Sequence, residues 1–169
     1  MLSLWRKIRS TGRVAEPAPP APAPTRPTGA AADGPAALPM FGGSVQIRHV
    51  DTGSCSGCEI EIGAAFGPVY DAERYGARLV ASPRHADALL VTGPVTRNMV
   101  APLRRTYEAV PEPKVVVAVG DCARNCGVFG GAYGIAGPVS NVVPVDLEIP
   151  GCPPRPETIV AALRTMTGR

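Results

Sequence analysis

Cys55-Ser56-Gly57-Cys58 puts two thiols on a tight turn directly after a short apolar run, and Cys122 and Cys152 each stand alone just past another strand-like run. The pattern is one Cys-x2-Cys pair followed by two lone cysteines, each far from the pair and from the other. Thiolates hold either zinc or iron–sulfur clusters. A structural zinc ribbon wants two paired knuckles, whereas this chain offers one pair and two singletons in loops bounded by Gly or Pro. A [4Fe–4S] cluster takes four thiolates, and successive backbone N–H groups of glycine loops can bond its sulfides. Proline directly after a ligand, as in Cys152-Pro153, also occurs in ferredoxin-type ligation. Spacing therefore favours iron–sulfur, with a structural zinc-binding interaction module left open. A thioredoxin-like dithiol at Cys55/Cys58 is a further alternative, and it leaves Cys122 and Cys152 unexplained.

Two acids follow the pair, Glu59 and Glu61. On a helix, side chains two apart point to different faces, so they are expected to have different jobs. One could relay protons if partly buried, since burial raises a carboxyl pKa. The alternative is a charge at a helix N-terminus, stabilised there by about 0.3–1 kcal/mol. Arg84 and His85 precede a buried strand. They are expected to tie their loop to Asp87 or a neighbouring subunit rather than tune a cluster. Arg97 is an interface candidate, and His49, inside the first strand, reads as structural.

The elements that must position these groups follow from the rest of the chain. Its 169 residues allow one domain with a real core. Net charge is only +3, and in the expected folded part no Lys/Arg stripe is interleaved with aromatics, so no nucleic-acid partner is expected. No apolar run is long enough for a membrane span, and the first residues lack a secretory apolar region. A cytoplasmic location is expected, where cysteines serve more often as ligands or catalytic groups than as disulfides. Residues 1–14 read as a short basic amphipathic segment, with Leu2, Leu4, Trp5 and Ile8 set against Arg6, Lys7, Arg9 and Arg13. Such a segment suits an anionic membrane surface or a membrane-embedded partner. Residues 15–43 are mostly Pro, Ala, Gly and Thr and read as a disordered linker. A domain over 44–169 follows.

Within it, strands are expected at 45–50, 78–81, 87–92, 114–119 and 142–147, the last broken by Pro144 and near an edge. Helices are expected at 59–66, 69–75, 97–109 (capped by Thr96) and 157–166, with 127–137 a loop. Strands alternating with helices imply an α/β fold with a doubly wound parallel sheet of four or five strands. All four cysteines then fall at carboxyl ends of strands, where such sheets bind ligands.

Six segments, in order, also carry a resemblance: Cys55-Ser-Gly-Cys-Glu-Ile-Glu-Ile, Asp71-Ala-Glu-Arg-Tyr-Gly, Ser82-Pro-Arg-His-Ala-Asp, Thr92-Gly-Pro-Val-Thr-Arg-Asn-Met, Gly120-Asp-Cys and Ile149-Pro-Gly-Cys-Pro-Pro. Over about residues 45–168 the chain resembles the small iron–sulfur subunit shared by group 4 membrane-bound nickel–iron hydrogenases and complex I, nearest the formate hydrogenlyase and hydrogenase-4 type. The resemblance implies a flavodoxin-like domain holding the [4Fe–4S] cluster nearest the active site. Cys55, Cys58, Cys122 and Cys152 would be its ligands. It implies a large subunit as partner (the nickel–iron hydrogenase large subunit, or its counterpart in complex I), a ferredoxin-like iron–sulfur subunit and membrane-embedded subunits. The chain would be a subunit of an oxidoreductase complex, not catalytic alone, and peripheral on the inner face of the membrane. By the same analogy, Glu59 matches a hydrogenase glutamate implicated in proton transfer and Glu61 an acid near the complex I quinone path.

Complex I relatives carry two adjacent cysteines in the first motif, so Cys-x-x-Cys-Glu tilts the reading to hydrogenase. A quinone- or ferredoxin-linked complex I-type oxidoreductase is the alternative. Cys126, four residues after Cys122, departs from the family and is expected to be a spare thiol. Some relatives continue beyond the last helix, so contacts made by such an extension are expected to be missing here.

Overall fold

The computed structural model describes residues 2–11 and 41–169. Most of the expected linker, and Arg13 of the basic segment, lie outside them. The first described segment is a helix, α1 (Leu2–Thr11), with Arg6, Lys7 and Arg9 and no acid. At 3.6 residues per turn its register sets positions 4, 5 and 8 on one side and position 2 off it.

In the larger unit, β1 (Val45–Asp51) leads through the cysteine turn into α2 (Gly57–Ala65), and β2 (Ala77–Leu79) and β3 (Ala88–Thr92) follow. Next come β4 (Val95–Thr96), α3 (Val100–Ala109), β5 (Val115–Val119), α4 (Asp121–Asn125), β6 (Ile135–Gly137), β7 (Leu147–Ile149) and α5 (Pro156–Thr167). Strands β2-β1-β3-β5-β7 form a sheet in that order, with every pair parallel. This is the flavodoxin-like order, with its reversal between β1 and β3. The expected α/β fold is borne out, with five strands.

Alternation along the central strands divides the core. Leu90, Val117, Val119 and Ile149 pack on one face with Ile62, Ile159 and Leu163 of α2 and α5. Leu89, Val91, Val116 and Ala118 pack on the other with Leu103 of α3 and with Val139 and Val143. Strands β3 and β5 are buried along their whole length, which is why they read as unbroken apolar runs. Phe41, before the expected domain start, already packs on the core.

Four local expectations need correction. The helix expected over 69–75 shrinks to one 3-10 turn, Ala72–Tyr75, because Asp71 enters it with φ 45°, a left-handed backbone that a helix cannot continue from. Thr96 does not cap α3; a 3-10 turn, Arg97–Met99, intervenes, and the Thr96 hydroxyl donates to the Thr52 carbonyl at 3.1 Å. The 127–137 stretch is not all loop, since β6 pairs antiparallel with β4. The last strand starts only at Leu147, past Pro144, which has no N–H to give the ladder.

One buried residue ties the strand ends that carry the cysteine turn. The Thr52 hydroxyl, fully buried, lies 2.8 Å from the Thr92 carbonyl and 3.1 Å from that of Gly93. The Thr52 N–H donates to the Thr92 carbonyl (3.0 Å), and its own carbonyl accepts from Thr96 N–H at 2.9 Å. Thr52→Val should cost about 0.5–1.5 kcal/mol in urea unfolding, because it removes the buried hydroxyl's hydrogen bond while the Thr92 carbonyl keeps the backbone one. Thr52→Ser should recover most of that. A loss of only a few tenths for Thr52→Val would show that the latch carries little.

Candidate metal centre

The carboxyl ends of β1, β5 and β7 deliver the four motif cysteines to one end of the sheet: Cys55 and Cys58 around the start of α2, Cys122 in α4, Cys152 just beyond β7. Cys58 and Cys122 are buried, and Cys55 and Cys152 are exposed. Burial comes first in pushing the Cys58 thiol up to about 12, followed by the charges of Glu59, Cys122, Cys55 and Cys152. Cys122 is also raised, by burial first and then by Cys152 and Cys55. The cysteine loops lie against one another: a Cβ on Gly57, between Cys55 and Cys58, would be 3.8 Å from Pro153 beside Cys152, and one on Gly120, two residues before Cys122, would be 2.7 Å from the Cys58 sulfur. Cys126 is different. Burial alone raises it. Its backbone turns left-handed (φ 69°) to end α4, so it does not continue the helical register of Cys122.

The loops leave room only for what is there. A Cβ on Gly120 (φ +85) would come within 2.7 Å of the Cys58 sulfur, and one on Gly127 (φ +47) within 3.1 Å of the Cys122 sulfur. Both glycines are needed for backbone conformation as well as for space. The two singleton loops are stitched together by Asp121, the central residue of Gly120-Asp-Cys. Its N–H donates to the Gly151 carbonyl at 2.8 Å, and its Oδ1 accepts from Gly151 N–H at 3.1 Å. Arg124 in turn bonds Asp121 Oδ1 (3.2 Å) and Glu148 (2.8 Å).

The donor set fits a cationic inorganic group. Four neighbouring thiols cannot all ionise unless positive charge enters among them, and metal binding supplies it. Among the described residues, no three His, Cys, Asp or Glu side chains converge tightly enough for a single metal ion.

Glu59 and Glu61 diverge, as their spacing requires. Glu59 turns toward β1 and β3: one carboxylate oxygen accepts from Ser54 Oγ at 2.6 Å, the other from Thr92 Oγ1 in a short hydrogen bond. Glu61 lies on the side of Tyr70, whose hydroxyl donates to Glu157 at 3.0 Å. His49 is the residue that sequence reasoning undervalued. Its Nε2 is 3.0 Å from Thr92 Oγ1 and 3.6 Å from Glu59. Thr92 has one hydroxyl proton and gives it to Glu59, so His49 donates from Nε2. Burial lowers the His49 pKa below 6.5 despite the pull of Glu59, so the 3.6 Å contact is not an ion pair at neutral pH. The signal available was register: His49 and Thr92 lie near each other at the same end of paired strands β1 and β3. Arg84 and His85 sit before β3, at the end of the sheet away from the cysteines, and Asp87 accepts from Gln46 N–H (2.8 Å) rather than from either. Arg97 stacks over Tyr133 at 5.4 Å.

Residues 55–166 match the family described as NADH ubiquinone oxidoreductase, 20 Kd subunit. The chain belongs to that family. Within it, the chain is 51% identical over 121 residues to a probable membrane-bound hydrogenase subunit of Pyrococcus furiosus, covering 72% of each. It is 49% identical over 113 residues to formate hydrogenlyase subunit 7 of Escherichia coli, covering 67% of this chain and 44% of that longer protein. It is also 49% identical over 104 residues to an NADH-quinone oxidoreductase subunit of the B type from Herpetosiphon aurantiacus, covering 61% and 58%. A solved archaeal respiratory complex, membrane-bound sulfane sulfur reductase, contains a similar chain (TM-score 0.66, 35% identity, covering 77% of this chain and 74% of that one). The family relatives named here are subunits of hydrogenase and NADH-quinone oxidoreductase complexes, so this chain is an oxidoreductase subunit. The expected family and enzyme class are borne out.

The lowered His49 pKa has a definite sign. Unfolded, His49 takes a proton near 6.5; folded, it resists doing so. Its stabilising contribution is complete above that value and declines as pH falls through it to the lower folded pKa. Between pH 7 and 5, wild type should lose more stability than His49→Gln in parallel urea titrations. Parallel pH curves would show His49 to be uninvolved.

Proposed function

We propose that the chain is the electron-transfer subunit of a membrane-associated nickel–iron hydrogenase complex of formate hydrogenlyase type. It would hold the [4Fe–4S] cluster nearest the active site through Cys55, Cys58, Cys122 and Cys152. The observation that carries this reading is the meeting of the three cysteine loops at one end of the sheet, where Gly120 lies against the Cys58 sulfur and Gly57 against Pro153 beside Cys152.

When bound, such a cluster takes up and returns single electrons. The chain's own residues do the rest. Cys58 and Cys122 bury the inner side of the pocket, while exposed Cys55 and Cys152 leave its outer side open to a partner. Ile60 beside it is 69% exposed and Val128 82%, apolar surface suited to a large subunit. A ferredoxin-like iron–sulfur subunit and membrane-embedded subunits complete the proposed assembly. Glu59, joined to Ser54, Thr92 and His49, is the proposed proton-relay residue; Glu61, outside that network, is the weaker candidate. Among the described residues no helix is long and apolar enough to cross a membrane. The membrane-bound hydrogenase relative supports a place at a membrane, and the proposal puts the subunit peripherally on its inner face.

A second reading is a quinone- or ferredoxin-linked complex I-type subunit, favoured by the 49% identity to an NADH-quinone oxidoreductase chain. The partner large subunit separates the two, since only a hydrogenase partner keeps cysteine pairs for nickel. Iron analysis of anaerobically purified complexes tests the ligand set. Cys122→Ser should lose most cluster iron and Cys126→Ser should keep it, while Glu59→Gln should keep the iron and slow hydrogen production about tenfold or more. The reverse pattern for the two cysteines would overturn the ligand assignment, and unchanged hydrogen production in Glu59→Gln would overturn the relay.

A further inference from the structure

The α/β body accounts for residues 41–169; it leaves α1 without a role. We infer that α1 docks on an anionic lipid surface, giving this subunit a membrane contact of its own besides those made through its partners. The helix Leu2–Thr11 contains Arg6, Lys7 and Arg9 and no acid, and all three cations are exposed. Helix register sets positions 4, 5 and 8, occupied by Leu, Trp and Ile, within about 100° of one another, with positions 6 and 7 on the opposite side. Trp5 is 69% exposed, a ring of the kind that settles where apolar chains meet headgroups.

At about 1.5 Å per residue the helix spans roughly 15 Å, half of a hydrocarbon core, so it lies in the interface rather than across it. A helix this short is marginal in water, and a surface that takes its apolar side would hold it formed. Charge decides the occupant. With three cations and no acid, the segment complements a diffuse negative surface rather than a groove of mixed charge, and a diffuse negative surface is what anionic lipid headgroups present. Because α1 contributes no cysteine, its docking is independent of the cluster reading.

Trp5 is the sole tryptophan of the full chain, so its fluorescence reports α1 alone. The intact protein, with its iron content measured on the same sample, is titrated with vesicles of phosphatidylcholine containing phosphatidylglycerol, and with phosphatidylcholine alone. Anionic vesicles should shift Trp5 emission to the blue and shield it from acrylamide, with partitioning about tenfold or more tighter than onto neutral vesicles. High salt, or the triple variant Arg6→Glu, Lys7→Glu, Arg9→Glu, should abolish the shift. No shift, or an equal shift on neutral vesicles, would overturn the inference. So would the same shift with inorganic phosphate alone, which would mean a simple anion site. A shift only with native membranes and not with protein-free vesicles would replace the lipid with a membrane protein, and also overturn it.

Discussion

Four thiols brought to one end of a parallel sheet repel one another once ionised, and the loops that carry them have to hold them there. Two of the sulfurs are buried, so water does little to screen that repulsion, and Cys58 is pushed up to about 12 as burial and these charges combine. Such a set is stable as neutral thiols or around positive charge, and poorly stable in between. Holding the sulfurs together therefore falls to the backbone. Asp121 stitches the Cys122 and Cys152 loops to each other. Thr52 anchors the strand end from which the Cys55/Cys58 turn departs. Gly120 lets its loop approach the Cys58 sulfur where a side chain would collide, and Gly127 takes a left-handed turn tight against the Cys122 sulfur.

The parallel sheet makes this possible at modest cost. Strands β1, β5 and β7 all run the same way, so cysteines far apart in the chain reach the same end without long excursions. The hydrogen bonds from Ser54 and Thr92 to Glu59, with His49 behind Thr92, form a second layer under the pocket. That layer joins β1, the cysteine turn, α2 and β3, so the acid beside Cys58 is held by the same strands that place the thiols.

Much of this was legible in the sequence because it rests on patterns that local physics imposes. The apolar runs 87–92 and 114–119 suit buried parallel strands, and they are β3 and β5. The cysteines' positions past such runs place them at the carboxyl ends of strands. What escaped was set by contacts distant in sequence. The helix expected over 69–75 had suitable residues but a left-handed Asp71 at its start. The pairing of β4 with β6 joins segments too short to announce themselves. His49 looked structural because its partners, Thr92 and Glu59, become neighbours only through strand register and the turn into α2. Thr96, a plausible cap by type, was taken up by the Thr52 carbonyl instead.

The central claim is that these four thiols hold one four-iron cluster. Mössbauer spectroscopy of iron-57-labelled protein, isolated without oxygen, addresses it most directly. The account predicts the paired quadrupole doublets of a single [4Fe–4S] cluster, with about four irons per chain and no zinc. A mononuclear iron signal, a two-iron cluster, or zinc in place of iron would contradict it.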